Sequence, residues 1–183
     1  MPTRFADPAR RPTRSCPSFP CPNFGESILR PLDLLAVARS LIAAESGSAP
    51  DAHVRRAISS AYYALFHTVA EAGADSLIAR GDDTSSRIAW KQVYRALDHG
   101  TLRSACLNGK TMEALPTTFR DIAAVILRFQ SKRHLADYDP DVQFSQADAI
   151  EAIDDCEAAI LAFAAAPEAE RRAFVAFVLF KTR

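Results

Sequence analysis

Arg133, His134, Asp137 and Tyr138 fall within one short stretch, SKRHLADYDP. A guanidinium clamps a phosphate bidentately but cannot serve as a base. An imidazole with an ordinary pKa of about 6.5 gives and takes protons near neutrality, whereas a phenol at about 10 needs help. These four side chains therefore suit metal-independent cleavage of RNA through a neighbouring 2′-hydroxyl. Stepping from Phe119 by threes and fours gives Ile122, Ile126, Phe129, Arg133 and then Asp137, so Arg133 continues an apolar line. An arginine there must be paired or sit where the fold opens to water, because an unpaired buried charge is costly. Asp137, one turn on, is its nearest partner. Arg128 and Lys132 lie on another side with Asp121 and Val125, while His134 flanks the line. A helix-end salt bridge from Arg133 to Asp137, lidded by Tyr138, is the alternative that does no chemistry.

A second stripe runs through RRAISSAYYALFH. Arg56, Ser59 or Ser60, Tyr63 and His67 share a flank beside an apolar line on which Tyr62 sits. With Arg128 and Lys132 they are the candidates for contacting RNA or a nucleotide. Taken alone the flank is a solvated face with one half-buried tyrosine, and it matters only if it meets the Arg133 end of the other helix.

The elements that must hold these side chains are all helical. LDLLAVARSLIAA places Leu32, Leu35, Val37, Ala38, Leu41 and Ile42 near a helical repeat that Gly47 ends. Pro50-Asp51 opens a longer helix with Val54, Ala57, Ile58, Ala61, Tyr62, Leu65 and Val69 on one stripe and Gly73 as its C-cap. Residues 74–86 form a polar connection. The spacing of Ile88, Val93 and Leu97 predicts a helix from Arg87 to Leu97, closed by His99-Gly100, and 101–112 is a loop or a short helix. A helix from Glu113 carries the Arg133 motif until Pro140 forbids continuation. Another spans Ser145 to Ala165, and Pro167 with its acidic neighbours opens a last one. The run Phe174 to Phe180 is apolar on too many sides for solvent, so it packs on the bundle or on another subunit. The fold class is all-α, an antiparallel bundle of four to five long helices.

Composition sets the outer limits. The chain has 183 residues with 22 basic and 22 acidic side chains, so its total charge favours neither extended nucleic-acid binding nor a membrane surface. Arg4, Arg10, Arg11, Arg14 and Arg30 face only Asp7 and Glu26 in residues 1–31, a net of +3, which leaves −3 for residues 32–183. Seven prolines and no periodicity make 1–31 a disordered leader, and 32–183 is the bundle with its extra C-terminal helix. No apolar run reaches the roughly 18 residues of a membrane span, and no secretory signal is visible. These features point to a cytoplasmic protein. Cys16, Cys21, Cys106 and Cys156 lack C-x-x-C spacing, so neither a metal nor another cofactor is indicated, and Cys156 reads as a small core residue.

Together, RRAISSAYYALFH and RHLADYDP resemble the HEPN family of small prokaryotic helical bundles, over roughly residues 32–165. The resemblance rests on Arg56, Ser59, Tyr62, Tyr63 and Phe66 in the first motif, and on Arg133, Ala136, Asp137, Tyr138 and Asp139 in the second. It implies a homodimer whose Arg-x4–6-His site is shared between subunits, acting as a metal-independent endoribonuclease or as the toxin beside a nucleotidyltransferase antitoxin. In the Arg133 register the histidine position holds Tyr138, as in the RxxADYD-bearing branch. In the other register Arg128 pairs with His134, but six helical steps rotate by about 240° and turn the two apart. The Tyr-for-His exchange keeps open an inactive bundle that binds RNA or nucleotide or docks a nucleotidyltransferase. A structural dimerisation domain is the third alternative.

Overall fold

The structure, a computed structural model, describes residues 30–44, 50–78, 81 and 83–180. The readings of 1–29 as a leader, of Cys16 and Cys21, and of Gly47 as a helix end lie outside these residues. Among the described residues there are eight helices and no strand: α1 (Pro31–Ala43), α2 (Pro50–Leu77), α3 (Thr84–Ala96), α4 (His99–Leu107), α5 (Gly109–Glu113), α6 (Thr117–Tyr138), α7 (Gln146–Ala165) and α8 (Glu168–Leu179). The all-α expectation holds. Among these residues, no helix is long and apolar enough to cross a membrane.

Helix α2 is the axis of the fold, packed by α1, α3, α6, α7 and α8. Its whole expected stripe from Val54 to Val69 is buried, and so are Ser59, Ser60, Ala64, Phe66, Ala70, Gly73 and Ala74. A helix surrounded on most sides buries more than one face, and its many small residues let the neighbours approach closely. Side-chain pairs give the directions. Ser59 meets Asp137 and Tyr63 meets Arg133, so α2 and α6 run antiparallel. Lys132 meets Asp148, and Arg128 meets Asp155, which makes α6 and α7 antiparallel as well.

Several expectations are corrected. Leu32 and Val37 are half exposed, because α1 sits at the periphery and packs only through a narrow face including Leu35 and Ala38. Helix α2 continues through Gly73 to Leu77. A Cβ at Gly73 would lie 3.0 Å from Leu179 Cδ1 and 3.3 Å from Val175 Cγ1, so the glycine permits close approach of α8 rather than ending a helix. Helix α3 begins earlier than Arg87, at Thr84, because the Asp83 carboxylate accepts the Ser86 N–H as an N-cap. Its Ile88 is exposed, and Trp90 carries the burial. His99-Gly100 starts a helix instead of closing one: Asp98 caps α4 by accepting from Thr101. Helix α6 starts at Thr117, since Pro116 breaks the chain after α5.

The C-terminal part agrees with the sequence. Ser145 and Asp148 form a reciprocal capping box that opens α7. Cys156 is fully buried. Helix α8 docks on its own bundle through Phe174, Val175 and Val178, each contributing about 1.5–3 kcal/mol of apolar burial. Phe177 and Phe180 stay exposed.

Candidate functional site

Residues four apart on a helix stack along one ridge, and on α2 that ridge is Arg55, Ser59, Tyr63, His67. It faces the last two turns of α6, and the first residue of α4 closes one side. The ridge therefore includes Arg55, whereas Arg56, the expected member, is exposed. The Arg55 guanidinium donates to Ala136 O at 3.2 Å, Asp139 O at 2.8 Å and the Val142 carbonyl, and its Nε donates to Asp51 at 2.7 Å. It satisfies the orphan carbonyls at the end of α6 and places a cation at the negative pole of that helix.

One turn along, Ser59 Oγ donates to Asp137 Oδ1 at 2.5 Å. The other carboxylate oxygen lies 2.7 Å from Arg133 Nε. That nitrogen is sealed from solvent and its N–H is not aimed at an acceptor, so the pairing with Asp137 is Coulombic more than directional. Arg133 donates through Nη2 to the Tyr63 hydroxyl. Its guanidinium carbon stands 5.0 Å from the Tyr63 ring centre and 5.6 Å from that of Tyr138, within reach of a cation–π attraction to both. The Arg133 and Asp137 side chains are 14% and 19% exposed, so the arginine does sink into the bundle's end as the apolar line requires. Burial works against its charge, but Tyr63 and Asp137 outweigh burial and hold the guanidinium pKa above its ordinary value. Tyr138 is 65% exposed and His134 is exposed, their rings 5.1 Å apart.

Beyond Tyr63 the ridge becomes an aromatic and imidazole array. His67 packs parallel to Tyr63 and Tyr94, and its Nδ1 is 2.7 Å from the Tyr94 hydroxyl. His99, the first residue of α4, has Nδ1 2.8 Å from the Tyr62 hydroxyl and its ring 5.8 Å from Tyr63. Its carbonyl accepts from Gln130 Nε2 at 2.7 Å, which ties α4 to α6 one turn before Arg133. Burial lowers the His99 pKa, and the Arg133 charge lowers it further. His67 is lowered by burial and then by His99. Burial raises Tyr62 well above the ordinary phenol range.

The structure thus brings together Arg133, Asp137, Tyr138, Ser59 and Tyr63, with His134 and His67 at the two ends. Arg128 and Lys132 do not join them. Arg128 pairs with Asp155 and Glu151, and Lys132, 16% exposed, lies between Glu151 at 2.7 Å and Asp148 at 2.9 Å. Both serve the α6–α7 seam, so Arg128 and His134 diverge, as a six-residue step demands. The sequence puts Arg56 on this flank where the structure has Arg55, and it does not single out His99, Tyr94 or Gln130. Helical spacing allows either Arg55 or Arg56 on the Ser59 flank, and the Asp98–Thr101 cap marks where α4 starts without saying what His99 meets. Tyr94 and Gln130 carry no local signal. Among the described residues no group of three or more His, Cys, Asp or Glu is placed to hold a metal. No protein-family model, curated protein or solved structure matches the chain.

Proposed function

We propose that the chain is a HEPN-like bundle that acts as a homodimer on RNA, cleaving it without a metal. Arg133 clamps the phosphate, and His134 with Tyr138 forms the proton-transfer station beside it. In the step, the 2′-oxygen attacks phosphorus and the bond to the 5′-oxygen breaks, leaving a 2′,3′-cyclic phosphate. The 2′-hydroxyl proton passes to water, and the His134–Tyr138 pair hands a proton to the departing 5′-oxygen. Asp137 and Ser59 fix the guanidinium, and preorganised charge of this kind stabilises a developing anion without reorganisation. The observation that carries the reading is the arginine held between two tyrosine rings at the bundle's end, with an exposed imidazole and phenol alongside. A nucleotidyltransferase antitoxin is the partner that the resemblance supplies.

A second reading has its own support. Asp137 already compensates the Arg133 charge, and Tyr138 stands where the resemblance expects a histidine. An Arg133 that is occupied and lacks its histidine suits a module that binds RNA or nucleotide without cutting, or docks a partner. The test is incubation of the purified full chain with RNA in chelator, with the 2′,3′-cyclic ends assayed. The cleaving reading expects such ends, their loss in Arg133→Ala, and a dimer by light scattering. RNA left intact by the unmodified protein would leave the second reading, and a monomer at micromolar concentration would remove the shared site.

A further inference from the structure

We infer that His99 is a second phosphate-contacting residue of the Arg133 site, presenting a neutral imidazole N–H to an RNA phosphodiester. The inference deepens the function proposed above and rests on its assignment of Arg133 as a phosphate clamp.

Two neighbours, Gln130 and Tyr63, place His99 beside Arg133. Gln130 reaches from α6 to the His99 carbonyl at 2.7 Å, and Gln130 and Arg133, three residues apart, share a helix face. Tyr63 touches both, its hydroxyl on the Arg133 guanidinium and its ring 5.8 Å from the imidazole. Phe66, with its ring centre 4.2 Å from that of His99, and Tyr62 pack the imidazole from α2. The ring is therefore held by its packing, and Tyr63 is a neighbour shared by the imidazole and the arginine.

The tautomer follows from Tyr62. Its hydroxyl is buried and remains protonated, and the hydrogen bond found for it is to His99 Nδ1 at 2.8 Å. If that buried hydroxyl only accepted, its own proton would have no partner; donation to Nδ1 avoids that cost and puts the neutral ring's proton on Nε2. The groups facing the ring from its surroundings keep it neutral. Burial against α2 opposes an imidazolium most, the Arg133 charge on α6 adds to that, and Asp98 on the α4 cap favours it less strongly. A neutral Nε2–H is a donor only, which suits an anionic oxygen and not the removal of a proton. The same corner holds both side-chain atoms that are sealed from solvent without a hydrogen bond among the described residues, Gln130 Oε1 and Arg133 Nε. The first belongs to the amide that holds the His99 carbonyl, and the second is paired with the Asp137 carboxylate at 2.7 Å.

The experiment uses the full chain and a 2′-O-methyl RNA hexamer, which keeps the phosphodiesters but lacks the attacking hydroxyl. Binding is measured by calorimetry for the unmodified protein, Arg133→Ala, His99→Leu and His99→Gln. The inference expects His99→Leu to weaken binding about tenfold or more, as for loss of one hydrogen bond to a charged group. His99→Gln, whose amide supplies a donor near the Nε2 position, restores most of it. If Arg133→Ala abolishes binding while His99→Leu binds normally, the inference about His99 fails and the clamp survives. If the hexamer does not bind the unmodified protein, or Arg133→Ala binds it unchanged, both fail. Should His99→Leu not fold, ¹⁵N histidine spectra of the unmodified protein decide. An Nε2–H tautomer whose signal moves when the hexamer is added supports the inference, and an Nδ1–H tautomer or an unmoved signal overturns it.

Discussion

Replacing Arg55 by Met should destabilise the fold strongly, whereas the same change at its neighbour Arg56 should leave it nearly untouched. The Arg55 side chain makes two bonds to carbonyls at the end of α6, a third to the Val142 carbonyl in the loop after it, and one ion pair with Asp51. The Asp51 side chain is mostly exposed, so that pair is worth about 0–1 kcal/mol. A hydrogen bond to a charged group contributes about 1.5–3 kcal/mol. The three share one guanidinium, and carbonyls at a helix end partly rehydrate, so the set is worth about 3 kcal/mol rather than the sum. For a chain of this length that corresponds to a fall in Tm of roughly 6–12 °C, or of about 1.5 M in urea midpoint at an m-value of about 2 kcal/mol/M. Met keeps the aliphatic stem, so the loss isolates the guanidinium. Arg56→Met should stay within about 0.5 kcal/mol of the unmodified protein, as surface changes do. Urea titration followed by far-UV circular dichroism reads both, and amide exchange at Ala136 and Asp139 should quicken in Arg55→Met alone. Equal midpoints for the two variants, or an Arg55→Met midpoint within about 0.3 M of the parent, would refute the argument that Arg55 closes α6.

Other expectations are simpler to read. Both His67 and His99 have folded pKa values below their ordinary value. The unfolded chain then takes up protons first as pH falls through about 6.5, so stability should decline below that pH. His67→Gln and His99→Gln should each flatten the decline in urea midpoints measured from pH 7.5 to 5.5, and an unchanged slope would contradict the placement. Gly73→Ala should be within about 1 kcal/mol of neutral in thermal melts, the helical gain over glycine offsetting the push on Leu179 Cδ1 at 3.0 Å. Gly73→Leu should destabilise by about 1–3 kcal/mol, because α8 cannot then close; equal melting of the two variants would argue against that contact. Burial pushes the Cys106 and Cys156 thiols up to about 12, so both should resist a thiol reagent at pH 8 in the folded chain and react in urea. Rapid labelling of either one without denaturant would show the helix around it to be open.

Helical periodicity by itself determined the class of the fold, the core stripes of α2 and α6, and the inward placement of Arg133 with Asp137 one turn on. These depend only on neighbours three and four residues away, and a sequence displays such neighbours directly. The capping box at Ser145 was local in the same sense. Tertiary packing alone decided which arginine of the Arg55-Arg56 pair meets α6, since that depends on where another helix ends. It also decided that Lys132 and Arg128 are taken up by α7, that Gly73 is a contact with α8, and that His99 stands beside Arg133. Each of these joins residues far apart in the chain, and the strength of a charge or a hydrogen bond depends on what surrounds it, which linear spacing does not contain.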